Sequence, residues 1–97
     1  MRIIAKRTLK EFWGKYPDSE EALKSWYDEA IKENWASFNE IKGKYRSASI
    51  LGNDRVVFNI KGNSYRLIVL VLFGRGKMFI RFVGTHTQYD KIDAKNI

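Results

Sequence analysis

The only histidine of this 97-residue chain, His86, lies in the stretch FVGTHTQYDKID, with Tyr89 and Asp90 just behind it; earlier in the chain, Lys61 and Arg66 bracket the stretch KGNSYR. These residue types suit the cleavage of RNA by its own 2′-hydroxyl, a reaction that requires neither a metal nor a thiol. The attacking hydroxyl needs a base, the leaving 5′-oxygen needs an acid, and the charge building on phosphorus needs cations. An imidazole titrates near neutrality and serves in either proton-transfer role. Guanidinium and ammonium groups hold the phosphate, and a tyrosine orients a base by stacking or joins the proton transfer. Taken singly, each residue also has an ordinary reading. A histidine in a polar turn is usually a surface residue, a lysine beside a hairpin is usually solvated, and Asp90 caps a turn. What decides is whether the fold brings them together.

The totals narrow the field. Lys and Arg number 18 against 11 Asp and Glu, a formal charge of +7 with a pI near 9.8. Such a balance favours a polyanionic partner, nucleic acid before an acidic protein. With no cysteine there is no disulfide framework, thiolate nucleophile or Cys-type zinc site, and one histidine makes no His cluster. The longest apolar run, LIVLVLF from Leu67 to Phe73, falls far short of the roughly 20 residues of a membrane-spanning helix. The opening MRIIAKRTLKEF lacks the apolar core of a signal peptide. The expectation is one domain over residues 1–97, cytoplasmic, without cofactor or membrane partner.

The elements that must position the candidates change character midway. Thr8 with Glu11 reads as a capping box, and Leu9, Phe12, Trp13 and Tyr16 follow at helical spacing up to Pro17. Asp18 with Glu21 opens a longer helix whose apolar stripe is Leu23, Trp26, Tyr27, Ala30 and Ile31. Ser37 and Glu40 mark a third, short one. Trp13, Trp26, Tyr27 and Trp35 fall on the faces the helices must bury, so they are core before they are a stacking platform. From Ser49 onward the period becomes two, punctuated by Gly and Asn, a three-stranded meander to which RIIA at the N-terminus adds a short strand. Helices on one face of a mostly antiparallel sheet, an α+β fold, satisfy both halves.

Register then places the polar residues. A two-residue turn at Gly62-Asn63 pairs Ile60 with Tyr65, Asn59 with Arg66, Phe58 with Leu67 and Val57 with Ile68. One face, Val56, Phe58, Ile60, Tyr65, Leu67 and Val69, goes under the helices; the other carries Asn59, Lys61, Ser64 and Arg66. An even loop at Phe73-Gly74-Arg75-Gly76 puts Met78, Ile80 and Phe82 on the covered face and Arg81 with Arg66. The odd alternative would bury Arg81, at high cost. Thr85 then falls roughly opposite Arg66, with His86 and Tyr89 at the rim.

These residues carry a resemblance. VFNIKGNSYRLIVLVLF followed by MFIRFVGTHTQYDKID resembles the HigB-type toxins of the RelE/ParE superfamily, and with YRSAS and TLKEFWGKYPDSE the likeness covers nearly the whole chain. The resemblance implies a RelE-like fold, a toxin of a type II toxin-antitoxin system that cleaves mRNA on the ribosome, and a helix-turn-helix, HigA-like antitoxin. Its motif falls on Asn59, Gly62, Asn63, Arg66, Arg81, Thr85, His86, Tyr89 and Asp90. Family members differ in their acid and base, so the proton-transfer role of His86 rests on the residue reading. His86, Arg66, Lys61 and Tyr89 are the expected catalytic set, with Asn59, Arg81, Asp90, Lys44 and Arg46 contacting RNA; the last two belong to the basic run Lys42, Lys44 and Arg46. A ParE-like gyrase inhibitor or a non-catalytic RNA-binding domain would account for the charge equally well.

Overall fold

Helical spacing in the first half becomes three helices in the computed structural model, which describes residues 1–97. They are α1 (Lys6–Lys15), α2 (Glu20–Lys32) and α3 (Phe38–Lys44), with a 3₁₀ turn at Pro17–Ser19 between the first two. Ser37 caps α3 as its spacing predicts, its hydroxyl accepting from the Glu40 N–H. Two other starts differ from the sequence reading. Helix α1 begins ahead of Thr8, with Ala5 at its cap position, because β1 delivers the chain directly into it. Asp18 belongs to the 3₁₀ turn rather than capping α2, and its carboxylate is engaged elsewhere.

The strands are β1 (Arg2–Ile4), β2 (Ser49–Ile50), β3 (Arg55–Ile60), β4 (Tyr65–Leu72) and β5 (Lys77–Thr85), followed by a single helical turn, α4 (His86–Tyr89). They form one sheet in the order β1-β5-β4-β3-β2, antiparallel except where β1 runs beside β5. The β3–β4 register is the one expected, Asn59 opposite Arg66 and Ile60 opposite Tyr65. Its turn is wider than two residues: positive φ falls on Lys61 and Gly62 instead of Gly62 and Asn63, and the Ser64 N–H closes on the Lys61 carbonyl. The β4–β5 loop is even, Leu72 pairing with Lys77.

One strand departs from simple alternation. Ile68 faces Phe82 while Val69 faces Ile80, so Arg81 is an extra residue in a β-bulge. The bulge shifts all that follows by one. Phe82 therefore shares the face of Ile68 rather than lying under the helices, Val83 packs against the core in its place, and Thr85 faces Tyr65 instead of Arg66. No charge is buried by this shift, since Arg81 stays exposed.

The core lies between helices and sheet, with Leu9, Leu23, Trp26 and Ile41 meeting Val56, Phe58, Leu67, Val69 and Met78. Trp26 and Trp35 are buried, and Trp13 and Tyr27 flank the core, so the aromatic stripe is structural as expected. Ile31 alone of the α2 stripe stays out, at 40 % exposure. Val57 and Ile68 are buried on the opposite face, where the residues after α4 turn back over the sheet. Arg55 on β3 and Arg81 on β5 both donate to the Ile97 carbonyl there, and the Asn53 amide donates to the Lys95 carbonyl.

Phe58 is the centre of the helix-side core, its ring 5.3 Å from that of Trp26 and 5.2 Å from that of Tyr45, both edge-on. Phe58→Ala is expected to cost about 3–5 kcal/mol of unfolding free energy in urea titration. A loss below about 1 kcal/mol would contradict this packing.

Candidate active site

Two chain reversals meet at one end of the sheet: the Lys61–Ser64 turn and the passage from β5 into α4. Arg66 leaves β4 beside the first, its guanidinium donating to the carbonyls of Asn63 (3.1 Å) and Tyr65 (3.4 Å). Tyr89 comes from the second, and its ring centroid lies 5.8 Å from the Arg66 guanidinium carbon. His86 stands one turn before Asp90, with Nδ1 3.4 Å from the Asp90 carboxylate. That leaves Nε2 on the ring's other side. Both side chains are more than half exposed, at 54 % and 58 %. A cation on a strand, an imidazole, a carboxylate and an aromatic face are thus gathered within one exposed rim.

Lys61 belongs to the same end but points toward the helices. Its ammonium is 3.0 Å from the Asp18 carboxylate, whose other oxygen accepts from the Tyr65 hydroxyl. The Tyr65 hydrogen bond, followed by the one from Lys61, holds the Asp18 carboxyl below its ordinary value of 3.8. The same hydrogen bond, with some desolvation, pushes the Tyr65 phenol up to about 12. Asn59 lies directly across from Arg66 and donates to the Ser47 carbonyl at 3.3 Å.

The remaining expected residues are not at this rim. Arg81 sits at the bulge and is held by the Ile97 carbonyl. Lys44 pairs with Glu33 at 2.8 Å, a hydrogen bond that raises its pKa, and Lys42 donates to the carbonyls of Arg46 and Ala48. The Arg46 side chain is exposed. Burial, reinforced by the Glu29 carboxylate at 2.5 Å, pushes the neighbouring Tyr45 phenol far up, so it stays a neutral donor.

The charge is segregated along the chain. From Ile41 onward eleven Lys and Arg stand against three Asp; up to Glu40 seven stand against eight acidic residues. The second half of the chain, which holds four of the five strands, thus carries the whole excess. The largest hollow, about 550 Å³ lined by Met1, Arg2, Ile31, Trp35 and Phe73 among others, does not include the rim residues. A single strand of nucleic acid lies along a charged, aromatic surface and needs no enclosed cavity.

Sequence reasoning did not find Asp18 as a partner of Lys61, nor the return of the residues after α4 over the second sheet face. It also passed over Gln88, although Thr85 and Gln88 have capping-box spacing. The structure shows that box complete.

Comparison with known proteins identifies the family. The family model HigB toxin, described as the RelE-like toxic component of a toxin-antitoxin system, matches residues 19–92. Over 96 residues the chain is 29 % identical to the mRNA interferase toxin HigB of Escherichia coli K12, a match covering 97 % of this chain and 92 % of that one. An mRNA interferase HigB of Shigella flexneri matches to the same extent. Another, from Escherichia coli O6:H1, is 27 % identical over 94 residues, covering 95 % and 91 % of the two chains.

The Asp18 contacts predict a pH dependence. A carboxyl whose folded pKa is depressed stabilises the fold above its unfolded pKa, and the effect is lost as pH falls through the folded pKa. Asp18→Asn should therefore lower the melting temperature at pH 7, with the gap to wild type closing as the pH drops below 3.8. Equal melting temperatures at pH 7, or a gap that persists in acid, would contradict the assignment.

Proposed function

This chain belongs to the HigB family, the RelE-like toxic component of a toxin-antitoxin system, and on that premise we propose that it is an mRNA interferase. Its relatives bear that name, and one observation of this chain carries the reading: the Arg66 guanidinium lies against the Tyr89 ring at the rim where His86 stands beside Asp90. A gyrase inhibitor acting by binding alone has no use for an imidazole paired with a carboxylate at the same rim as a guanidinium.

In this reading residues 1–97 act as one cytoplasmic toxin domain. The 2′-oxygen attacks the adjacent phosphorus, its proton passing to a base, and the P–O5′ bond breaks as the leaving oxygen gains a proton. The products are a 2′,3′-cyclic phosphate and a 5′-hydroxyl. Arg66 binds the non-bridging oxygens and stabilises their growing charge. His86, with Nδ1 turned to Asp90, moves a proton through Nε2. Tyr89 stacks on a base and fixes the strand against Arg66. Lys61 reaches the phosphate by exchanging Asp18 for it, a trade of one anion for another. Asn59, Arg46, Lys44 and Arg81 contact the RNA backbone, in part by leaving their present partners. The substrate is mRNA on the translating ribosome, and a helix-turn-helix, HigA-like antitoxin neutralises the toxin.

Induction of the wild-type protein should arrest translation, with cleaved transcripts mapped by primer extension. His86→Ala and Arg66→Ala should each lower the cleavage rate by about 10²–10³-fold, without changing the melting temperature by more than a few degrees. Cleavage at the wild-type rate in both variants would refute the roles, and growth arrest with intact transcripts would favour a non-nuclease toxin.

A further inference from the structure

Both His86 and Tyr89 stand on α4, which is four residues long. A helix of one turn does not persist by itself, because nucleation is unfavourable and its first N–H groups lack partners. Gln88, paired reciprocally with Thr85, meets both needs. Its backbone N–H donates to the Thr85 hydroxyl at 3.1 Å, while its Oε1 accepts from the Thr85 N–H at 2.9 Å. The other end of the same amide, Nε2, lies 3.5 Å from the Tyr16 hydroxyl. Tyr16 in turn stacks on Phe12 at 4.6 Å and meets Tyr65 edge-on at 5.9 Å. Gln88 thus joins α4 to the aromatic packing beneath the helices.

Gly84 provides a second, independent observation. It is buried in β5 directly across from Arg66, and a Cβ there would lie 2.5 Å from the Phe82 ring and 2.8 Å from Gln88 Oε1. The amide occupies space that exists only because residue 84 has no side chain. A cap serving the helix alone would require neither this close approach nor the reach to Tyr16.

We propose that Gln88 is the positioning residue of the site: by holding Thr85 and Tyr16 at once, it sets the places of His86 and Tyr89 against Arg66. This rests on the RNA-cleaving reading above. Gln88 itself touches neither phosphate nor base, so its contribution is to the geometry of the transition state, where small misplacements are costly.

Two substitutions test it. Gln88→Met keeps the length of the side chain and removes both polar contacts. Gln88→Glu keeps them, one oxygen accepting from the Thr85 N–H and the other from the Tyr16 O–H. With ribosome-bound mRNA as substrate, Gln88→Met should lower kcat by about tenfold or more with KM within about twofold, and Gln88→Glu should recover to within about threefold of wild type. A Met variant with wild-type kcat, or a Glu variant no better than Met, would overturn the proposal. Amide hydrogen exchange supplies a readout independent of activity. Protection of the Thr85 N–H should be lost in Gln88→Met and restored in Gln88→Glu; equal protection in both variants overturns the positioning role. Should the wild type leave RNA intact, the activity reading falls on its own and exchange alone decides the role of Gln88.

Discussion

Successive side chains on a strand point to opposite faces, so burying one set under the helices also selects the set left for function. Val56, Phe58, Ile60, Tyr65 and Leu67 form the buried set, and Asn59 and Arg66 are the polar pair left on the other face. A slip of one residue would put Arg66 beneath α1 and expose Leu67, at the cost of an uncompensated buried charge. The position of Arg66 is therefore maintained by the same hydrophobic term that stabilises the fold. The bulge at Arg81 adjusts the outcome locally, bringing Gly84 rather than Thr85 opposite Arg66 and aligning Thr85 with Tyr65, toward the helical layer.

Apart from Arg66 and the exposed Arg46, the cations expected to meet RNA already have partners, and only Lys61 among them belongs to this end of the sheet. Lys61 is held by Asp18, Lys44 by Glu33, and Arg81 by a carbonyl of the returning chain. These are exposed contacts, worth little individually and screened by salt, so a phosphate can replace them at small cost. Arg66 differs in being fixed by its own turn and by the Tyr89 ring. On the proposed function, Arg66 with α4 is the preformed centre and the other cations redistribute when a polyanion arrives. On the same reading, the positive excess carried by residues 41–97 attracts RNA before any specific contact forms.

Much of this was legible in the sequence, where local chemistry and burial agree. The helical stripe of Leu23, Trp26 and Ala30, the Ser37 cap and the pairing of Asn59 with Arg66 each follow from short-range spacing plus one apolar face. Where the reading missed, a tertiary contact outweighed a local signal. Asp18 has the spacing of a helix cap, yet it binds Lys61 and Tyr65, residues more than forty positions away that only the fold brings near. The shift of Phe82 and Thr85 depends on a bulge at Arg81, and alternation alone carries no mark of an extra residue. Thr85 and Gln88 have the spacing of a capping box that the sequence reading passed over, and the reach to Tyr16 and the need for Gly84 leave no mark in the sequence.

Cleavage at this sheet end through the substrate's own 2′-hydroxyl, as proposed, leaves its signature in the chemistry of the cut ends. Products formed by the purified protein on ribosome-bound mRNA should carry a 2′,3′-cyclic phosphate and a 5′-hydroxyl, and a single 2′-deoxy substitution at the cleavage position should abolish the cut. Products bearing a 3′-hydroxyl and a 5′-phosphate, or undiminished cleavage at the 2′-deoxy position, would rule out the 2′-hydroxyl route.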